Sequence, residues 1–236
     1  MSKAVWKGGT LMAPVPVMLA TCGTVERPNA ITVGWTGIVN SDPPMAYLSV
    51  RKSRYSHGLI VENGLFALNL TTERLAKATD YCGVRSGRDG DKLAACGLTV
   101  SKGKLGCPIL DQSPLSLECR VTQRMELGSH DLFLGVIEAV HVEEALIDEG
   151  GRLQLERAGL IAYSHGQYMT LGRSLGGFGF SVRKKPERRQ QGQKKPGRRA
   201  AQSAGKPASA APRGSGPRPH GGKGFGGKSA SGKRGR

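Results

Sequence analysis

Two stretches near the middle of the chain decide its fold: residues 116–126 read SLECRVTQRME, and residues 132–144 read LFLGVIEAVHVEE. Both have the two-residue period of a β-strand over more than ten positions, and the second is apolar on both faces near its start and on one face towards its end. The residues between them, Leu127-Gly128-Ser129-His130-Asp131, include the glycine and short polar side chains of a tight connection. The two stretches therefore predict two long strands joined by a short turn.

Shorter β-rich and helical patterns lie on either side of this pair. We predict further strands at Val17–Cys22, Asn29–Val39, Met45–Arg51 and Leu65–Leu70, and a closing hairpin formed by Gly159–Tyr163 and Gln167–Leu171. Helices are predicted at Ser56–Asn63, ending at Gly64, and at Thr72–Tyr81. Many short strands with few long helices favour a mainly β fold, a β-barrel with peripheral helices, over the alternating strands and helices of a doubly wound sheet.

Charge divides the chain into two parts. The whole sequence of 236 residues has a formal charge of +17, but residues 183–236 contain 17 basic residues and one acidic residue, a net charge of +16. We therefore predict one globular domain at residues 1–182 and a disordered tail at residues 183–236, rich in Lys, Arg, Gly and Pro. Such a tail would bind nucleic acid or another polyanion without sequence specificity, by releasing counterions. The alternative is a solvated appendage with no partner.

Several classes of protein are disfavoured. No run approaches the ~18 apolar residues that a membrane-spanning helix needs. The apolar run Leu11–Ala20 before Cys22 has some features of a lipoprotein signal, but Pro14 and Pro16 interrupt it. The five cysteines are odd in number, widely spaced and without a C-x-x-C pair, which is typical of reduced thiols and not of a disulfide framework or a zinc site. We therefore expect a cytoplasmic protein with no metal site.

A phosphate-binding signature near the end of the chain is misleading. Residues 222–229, GKGFGGKS, have the P-loop spacing G-x-x-x-x-G-K-S. A P-loop needs a strand before it and a helix after it, so that free N–H groups point at phosphate. Here no strand pattern precedes the signature, and only seven residues follow it. We attribute the match to the composition of the tail, and no G-x-G-x-x-G follows a strand elsewhere, which disfavours a Rossmann site.

A more informative segment is Arg51-Lys52-Ser53-Arg54-Tyr55-Ser56-His57, which follows a predicted strand and opens a predicted helix. It combines three fixed cations, two serine hydroxyl groups, an imidazole and the free N–H groups of a helix start. These are the groups that bind a phosphomonoester, through charge-assisted hydrogen bonds and a favourable helix dipole. Taken alone, the segment fits a solvated basic turn at least as well.

Two other positions have both a structural and a functional interpretation. Trp35 lies between Gly34 and Gly37 in a predicted strand, where missing side chains would let a flat ligand approach the backbone, although a tryptophan in a strand usually packs. His130 lies in the turn between the two long strands, where it is either a simple turn residue or a ligand contact. A Ser129–His130–Asp131 catalytic triad is excluded, because adjacent residues on one turn cannot relay a proton.

In combination, these segments resemble the flavin reductase and flavoredoxin family, from about Met12 to Lys185. The resemblance rests on Asn29-Ala30, Gly34-Trp35-Thr36, Ser41-Asp42-Pro43-Pro44, residues 51–57, Phe66-Ala67-Leu68-Asn69-Leu70, Tyr81-Cys82-Gly83, Asp91-Lys92, residues 128–135, residues 163–168 and residues 176–181. It implies an FMN-binding split β-barrel, a homodimer with one FMN per subunit, and the site residues that follow.

By position in the family pattern, Asn29 and Trp35 would lie beside the flavin ring, and Arg51, Ser53, Arg54 and Ser56 would surround the phosphate. The cofactor-binding candidates implied are Asn29, Val33, Gly34, Trp35, Thr36, Arg51, Ser53, Arg54, Ser56, His57, Lys92, His130 and Tyr163. His130 is also the candidate catalytic residue. Among these candidates, Lys92 has the least secure correspondence to the family pattern, because residues 83–96 have a loop-like sequence.

The resemblance implies an NAD(P)H-dependent flavin reductase, an oxidoreductase in which FMN takes a hydride from NADH or NADPH. Electrons would then pass to free flavin, ferric iron or a protein partner. Two alternatives stay open at this point. One is a flavoredoxin-like electron carrier that never meets nicotinamide, and the other is a non-catalytic FMN- or haem-binding protein.

Overall fold

The computed structural model describes residues 1–183 of the chain. Its strands are β1 (Val15–Pro16), β2 (Met18–Gly23), β3 (Pro28–Val33), β4 (Thr36–Ser41), β5 (Pro44–Arg51), β6 (Leu65–Leu70), β7 (Val100–Lys102), β8 (Pro108–Leu110), β9 (Leu115–Glu126), β10 (His130–Val142), β11 (Ile161–Ser164) and β12 (Gln167–Thr170). Its α-helices are α1 (Tyr55–Asn63), α2 (Ala76–Val84) and α3 (Lys92–Ala95), and short 3-10 turns lie at Glu73–Leu75, Glu144–Leu146 and Leu155–Arg157.

Seven of these strands form one antiparallel sheet in the order β3-β2-β6-β9-β10-β5-β4. The two outermost strands, β3 and β4, are consecutive in the sequence, and only Gly34-Trp35 joins them. Three virtual Cα–Cα bonds reach at most about 11 Å, so the two ends of the sheet must lie close together. The sheet therefore curls into a barrel, which confirms the predicted mainly β fold with peripheral helices.

The interior of the barrel is apolar and draws on both ends of the sheet. Its buried residues alternate along each strand, as one face of a strand requires. They are Ala20, Cys22, Ile31, Val33, Ala46, Leu48, Val50, Ile60, Phe66, Leu68, Cys119 and Phe133. Because residues of β3 and β5 share this core with Ile60 of α1, burial of apolar surface holds the curled sheet closed.

A second apolar layer covers the outside of β2 and β3. Leu19 and Ala30, on the outer faces of these strands, pack with Cys82 of α2 and Leu93 of α3. The hydroxyl group of Thr32 also donates a hydrogen bond to the carbonyl oxygen of Thr79 in α2. This layer holds α2 and α3 beside the seam where the sheet closes.

Most of the predicted elements are confirmed, with ends that move by one or two residues. They are the strands β2, β5, β6, β9 and β10, the hairpin β11–β12 and the helix α1. Gly64, predicted to end α1, has a left-handed φ of 64° and donates its N–H to the carbonyl oxygen of Ile60 at 2.9 Å. In the closing hairpin, β11 also pairs with β1, and the turn residues His165 and Gly166 have the positive φ angles of a type I′ turn.

Three predicted boundaries are wrong. The predicted strand Asn29–Val39 is interrupted at Gly34-Trp35, because the chain crosses there from one end of the sheet to the other. The helix predicted at Thr72–Tyr81 is a 3-10 turn followed by α2, which continues to Val84. The loop-like stretch 83–96 contains α3, whose first turn is capped when Asp91 accepts a hydrogen bond from the N–H of Ala94 at 3.0 Å.

The described residues also bear on the other predictions. All five cysteines lie within them as free thiols. Among residues 1–183, no helix is long and apolar enough to cross a membrane, and no group of three or more His, Cys, Asp or Glu side chains could hold a metal ion. The basic tail predicted at 183–236 lies outside the described residues apart from Arg183, as does the P-loop-like sequence, so the division of the chain after residue 182 stays a prediction.

Candidate functional site

A cleft of about 420 Å³ opens where β3 and β4 meet at the barrel seam. This volume lies within the roughly 300–1,000 Å³ typical of small-molecule sites. The cleft is lined by Val15, Val17, Ile31, Thr32, Val33, Gly34, Trp35, Ser49, Val50, Arg51, Arg54, Asp80, Gly83, Val84, His130, Tyr163 and Tyr168. It therefore has an apolar wall of β-branched residues, a group of aromatic rings and two guanidinium groups.

Trp35 and His130 form an aromatic pair in this cleft. Their ring centroids are 4.8 Å apart at an interplanar angle of 39°, and 42% of Trp35 is exposed to solvent. Trp35 lies in the two-residue link between β3 and β4, and His130 is the first residue of β10. The neighbouring Gly34 is closely packed, because a Cβ atom there would lie 3.2 Å from Cγ2 of Val15. The pair offers a flat, partly open surface for an aromatic ligand.

A cationic corner, which we define as residues 51–57, lies beside the aromatic pair. β5 ends at Arg51, and the N–H of Arg54 donates to the carbonyl oxygen of Arg51 at 3.0 Å, which closes a turn. Arg54 is the N-cap of α1, but no side chain caps the helix, so N–H groups of its first turn are free to bind an anion. Arg51 and Arg54 both line the cleft. The corner thus has the donors and the helix dipole that a phosphate group needs.

A small recess behind Arg54 continues the corner inward. It is lined by Ile31, Arg54, Tyr55, Ser56, Arg85, Ser86, Gly87 and Lys92. The amide Nδ2 of Asn29 donates a hydrogen bond of 2.6 Å to Oγ of Ser56, and both side chains are buried. Asn29 therefore orients the Ser56 hydroxyl from behind.

Lys92 is a buried cation in the same recess. Its Nζ donates to the carbonyl oxygens of Cys82, at 3.0 Å, and Arg85, at 3.2 Å. Burial lowers the pKa of Lys92 from its ordinary value, because an ammonium group loses hydration there. Lys92 therefore lies in the same recess as Arg54 and Ser56, beside the cationic corner.

His130 has a shifted pKa. Burial lowers it from the ordinary histidine value, and the charge of Arg51, its cross-strand partner in β5, lowers it further. The imidazole is therefore neutral near pH 7. Its Nδ1 lies 2.9 Å from the hydroxyl oxygen of Ser129. A neutral ring in this position can donate or accept one hydrogen bond but adds no charge to the cleft.

The structure brings most of the candidate residues from the sequence to one place. The cleft is lined by Val33, Gly34, Trp35, Arg51, Arg54, His130 and Tyr163. Ser56 and Lys92 line the adjoining recess, with Asn29 hydrogen-bonded behind it. Three other candidates line neither of the two cavities. Thr36 is buried and donates to the carbonyl oxygen of Tyr47, Ser53 lies exposed in the turn, and His57 points at Asp131.

Some lining residues were not among the sequence candidates. Tyr168 lies directly opposite Tyr163 in the closing hairpin, with ring centroids 5.2 Å apart, and the two-residue turn between them could have predicted this pairing. Asp80, Gly83 and Val84 come from α2. Only the packing of α2 on β3 brings them to the cleft, and no local pattern in the sequence indicates it.

Comparison with known proteins places this geometry in a family. Residues 11–172 match the family described as "Flavin reductase like domain". The chain is 33% identical over 135 residues to the NADH-dependent FMN reductase AsuE2 of Streptomyces nodosus subsp. asukaensis, a match that covers 57% of this chain and 72% of that protein.

Two solved structures share the fold. A flavoredoxin from Methanosarcina acetivorans matches with a TM-score of 0.70 at 29% identity, over 76% of this chain and 97% of that chain. An FMN-binding protein from Thermus thermophilus with bound 1-cyclohex-2-enone matches with a TM-score of 0.64 at 27% identity, over 75% and 99% of the two chains. The family match covers well over half of the sequence, and the described fold agrees with it. This chain therefore belongs to the flavin reductase-like family.

Proposed function

We propose that this protein binds FMN in the seam cleft and acts as an NAD(P)H-dependent flavin reductase. The observation that carries the proposal is the convergence, in one cleft, of the Trp35–His130 pair with the cationic corner. FMN has a flat tricyclic ring at one end and a phosphate at the other, so it needs an aromatic surface and an anion site a short distance apart.

The residues present fit such a ligand at both ends. Trp35, His130 and Tyr163, which line the cleft together with Gly34, would hold the ring. At the other end, we assign the phosphate to the cationic corner and its recess. Arg51, Arg54, Ser56 and Lys92 line the cleft or the recess and are assigned there, and Asn29 would orient Ser56. Ser53 is assigned from its exposed place in the same turn. The free N–H groups at the start of α1 add donors that carry no side-chain entropy cost.

When bound, FMN would supply the redox chemistry: it accepts a hydride from NADH or NADPH and passes electrons to free flavin, ferric iron or a protein partner. The chain's own residues bind, orient and shield. Val15, Val17 and Val50 make the cleft wall apolar, which limits access of water to the ring. Neutral His130 would hydrogen-bond the ring without fixing an extra charge beside it, and we propose it as the residue that takes part in proton transfer.

A flavoredoxin-like electron carrier is the second candidate. Its support is the similarity to the flavoredoxin from Methanosarcina acetivorans, which extends over nearly all of that chain. A carrier would use the same FMN site but would be reduced by a protein and not by nicotinamide. The two candidates differ in one observable, the rate at which NADH or NADPH reduces the bound flavin.

We also propose a homodimer in the cytoplasm. β4 is an end strand of the sheet, and its Ile38 and Val39 are 62% and 50% exposed, so a second subunit would cover apolar surface there. The free thiols favour a reducing compartment. Light scattering on the unaltered chain and on Ile38→Asp tests the dimer. We expect the unaltered chain to be a dimer and the variant a monomer, and two monomers would show that the homodimer proposal is wrong.

The decisive experiment is an absorption spectrum before and after anaerobic addition of NADH, and separately of NADPH. We expect flavin bands in the reconstituted protein, bleached faster than free FMN under the same conditions. A folded protein that does not bind FMN would overturn the cofactor assignment. A protein that binds FMN but is bleached no faster than free FMN would overturn the reductase and leave the carrier.

A further inference from the structure

The carboxylate of Asp131 is completely buried at the start of β10, beside two cationic side chains and a histidine. Its Oδ2 accepts hydrogen bonds of 2.7 Å from Nε2 of His57 and of 2.7 Å from Nε of Arg124. Nζ of Lys52 lies 3.5 Å from Oδ1. Burial alone would raise the pKa of Asp131, but the hydrogen bonds from His57 and Arg124 outweigh that effect and lower it, so the group is a carboxylate.

Two of these three side chains come from the cationic corner, on either side of the proposed phosphate site. Lys52 lies one residue after the start of the cationic corner, and His57 is its last residue. Between them lie Ser53, Arg54 and Ser56. His57 therefore holds one end of this stretch to the buried carboxylate by a hydrogen bond. At the other end, Lys52 is bonded to Glu126 at 2.6 Å and lies within ion-pair distance of the same carboxylate. His57 also packs edge-on against the core residue Phe133, with ring centroids 5.4 Å apart, which limits its freedom to move.

Asp131 is also linked through the backbone to the aromatic pair. Asp131 directly follows His130, whose ring lies 4.8 Å from that of Trp35. The ladder between β5 and β10 fixes both residues, because His130 is paired with Arg51 and Asp131 with Val50. Asp131 is thus connected to the ring-binding pair on one side and to the cationic corner on the other.

We propose that Asp131 and His57, assisted by Lys52, are positioning residues that set the separation between the cationic corner and the aromatic pair, so that both ends of FMN bind at once. The inference rests on the proposed function. A ligand held at two points gains from the second contact only if the two sites are held at the spacing that it spans. Riboflavin has the same ring but no phosphate, so its affinity does not depend on that spacing.

The test measures dissociation constants for FMN and for riboflavin by quenching of flavin fluorescence in the full chain. His57→Leu removes the donor, and we expect the preference for FMN over riboflavin to fall by about tenfold or more, equivalent to losing about one charge-assisted phosphate contact. Riboflavin affinity should change less than about twofold, because riboflavin has no phosphate for the cationic corner to bind and the effects of independent sites add to within about that factor. His57→Gln, whose amide nitrogen can replace Nε2, should restore most of the preference.

The chain offers a matched control in a second histidine–carboxylate pair. Nε2 of His141 lies 3.1 Å from Oε2 of the fully buried Glu118. His141 is in β10, eleven positions beyond His130, which is roughly 35 Å along an extended strand. His141→Leu should lower stability and leave the FMN preference unchanged.

A second variant keeps the test decisive if His57→Leu does not fold. Lys52 is at the surface, with 40% of its side chain exposed, so Lys52→Gln should fold. At about 0.5 M salt the lost surface charge is largely screened. Because Lys52 also contacts Glu126 at 2.6 Å, Glu126→Gln is the control, and a fall in FMN preference that only Lys52→Gln shows reports the lost contact to Asp131. An unchanged preference in Lys52→Gln would then overturn the proposal.

The outcomes separate the two proposals. If the unaltered chain does not bind FMN, the proposed function fails. If it binds FMN but His57→Leu keeps the full preference, or loses affinity for FMN and riboflavin by the same factor, the positioning role fails alone. An equal loss of preference in His141→Leu also overturns it, because the effect would then be one of general stability.

Discussion

The side-chain amide of Asn29 donates a 2.6 Å hydrogen bond to the hydroxyl oxygen of Ser56, and so joins strand β3 to the first turn of helix α1. Both residues are buried, so the bond is protected from competing water. It links β3, which leads into the Gly34-Trp35 crossing, to the start of α1, which has the free N–H groups. The interior of the barrel and the proposed phosphate site are therefore one connected structure.

The first prediction concerns Gly87, which packs against this bond. A Cβ atom at Gly87 would lie 2.3 Å from Oδ1 of Asn29 and 2.7 Å from Cδ1 of Tyr55. Gly87→Ala should therefore displace the loop or rotate Asn29, and we expect FMN affinity to fall. Fluorescence titration with FMN measures the change.

Gly58 supplies the control for this substitution. It lies in the interior of α1, where a Cβ atom would meet nothing within 4 Å. Gly58→Ala should stabilise the protein by about 0.5–1 kcal/mol, the usual difference in helix propensity, without changing FMN affinity. Equal affinities for the two alanine variants would contradict the role given to Gly87.

The second prediction concerns Arg54. Its guanidinium lines both the cleft and the recess, and it is assigned to phosphate. Arg54→Ala should lower FMN affinity by roughly 1.5–3 kcal/mol, the range for a hydrogen bond to a charged group, and leave riboflavin affinity and the melting temperature nearly unchanged. Arg152→Ala is the matched control, because Arg152 lines neither cavity. If both arginine variants bind FMN like the unaltered chain, the corner is an ordinary basic turn.

The third prediction is a dependence of stability on pH. His130 has a pKa below its ordinary value of 6.5 in the folded state. As the pH falls through about 6.5, the unfolded chain takes up a proton on this residue before the folded chain does, so acid lowers stability. His130→Asn removes this contribution.

Urea unfolding of both proteins at about pH 8 and about pH 5.5 tests that sign, because these values lie on either side of the ordinary pKa. The unaltered protein should lose more stability than His130→Asn between the two conditions. Parallel losses would mean that His130 takes up its proton equally in the folded and unfolded states.

The fourth prediction concerns thiol reactivity. Burial raises the pKa of Cys22 and of Cys82 to about 11 and that of Cys119 to about 12, and it raises the pKa of Cys107 as well. Cys96 is the half-buried member of the five. Because the thiolate is the reactive form, an aromatic disulfide reagent near pH 8 should label one thiol per folded chain. Cys96→Ser should abolish that labelling, and rapid labelling of a second thiol would contradict the burial described.

Local patterns in the sequence predicted the strands β2, β5, β6, β9 and β10 and the helix α1 well, because alternation and helix-end residues are local properties. They failed at Gly34-Trp35 and in the stretch 83–96. A strand and a crossing between strands have similar composition, and a helix of four residues, α3, is too short to produce a period.

The sequence by itself determined that the chain is mainly β and that its charge is concentrated after residue 182, and its resemblance to a family supplied Trp35, Arg51, Arg54 and His130 as candidates for a flavin site. Tertiary structure decided which of these residues share a cleft. It added Tyr168 and the α2 residues, associated Lys92 with the cationic corner, and directed His57 to Asp131. The reason is that β3 and β4 become neighbours only when the whole sheet closes, and closure depends on burying one core shared by residues far apart in the chain.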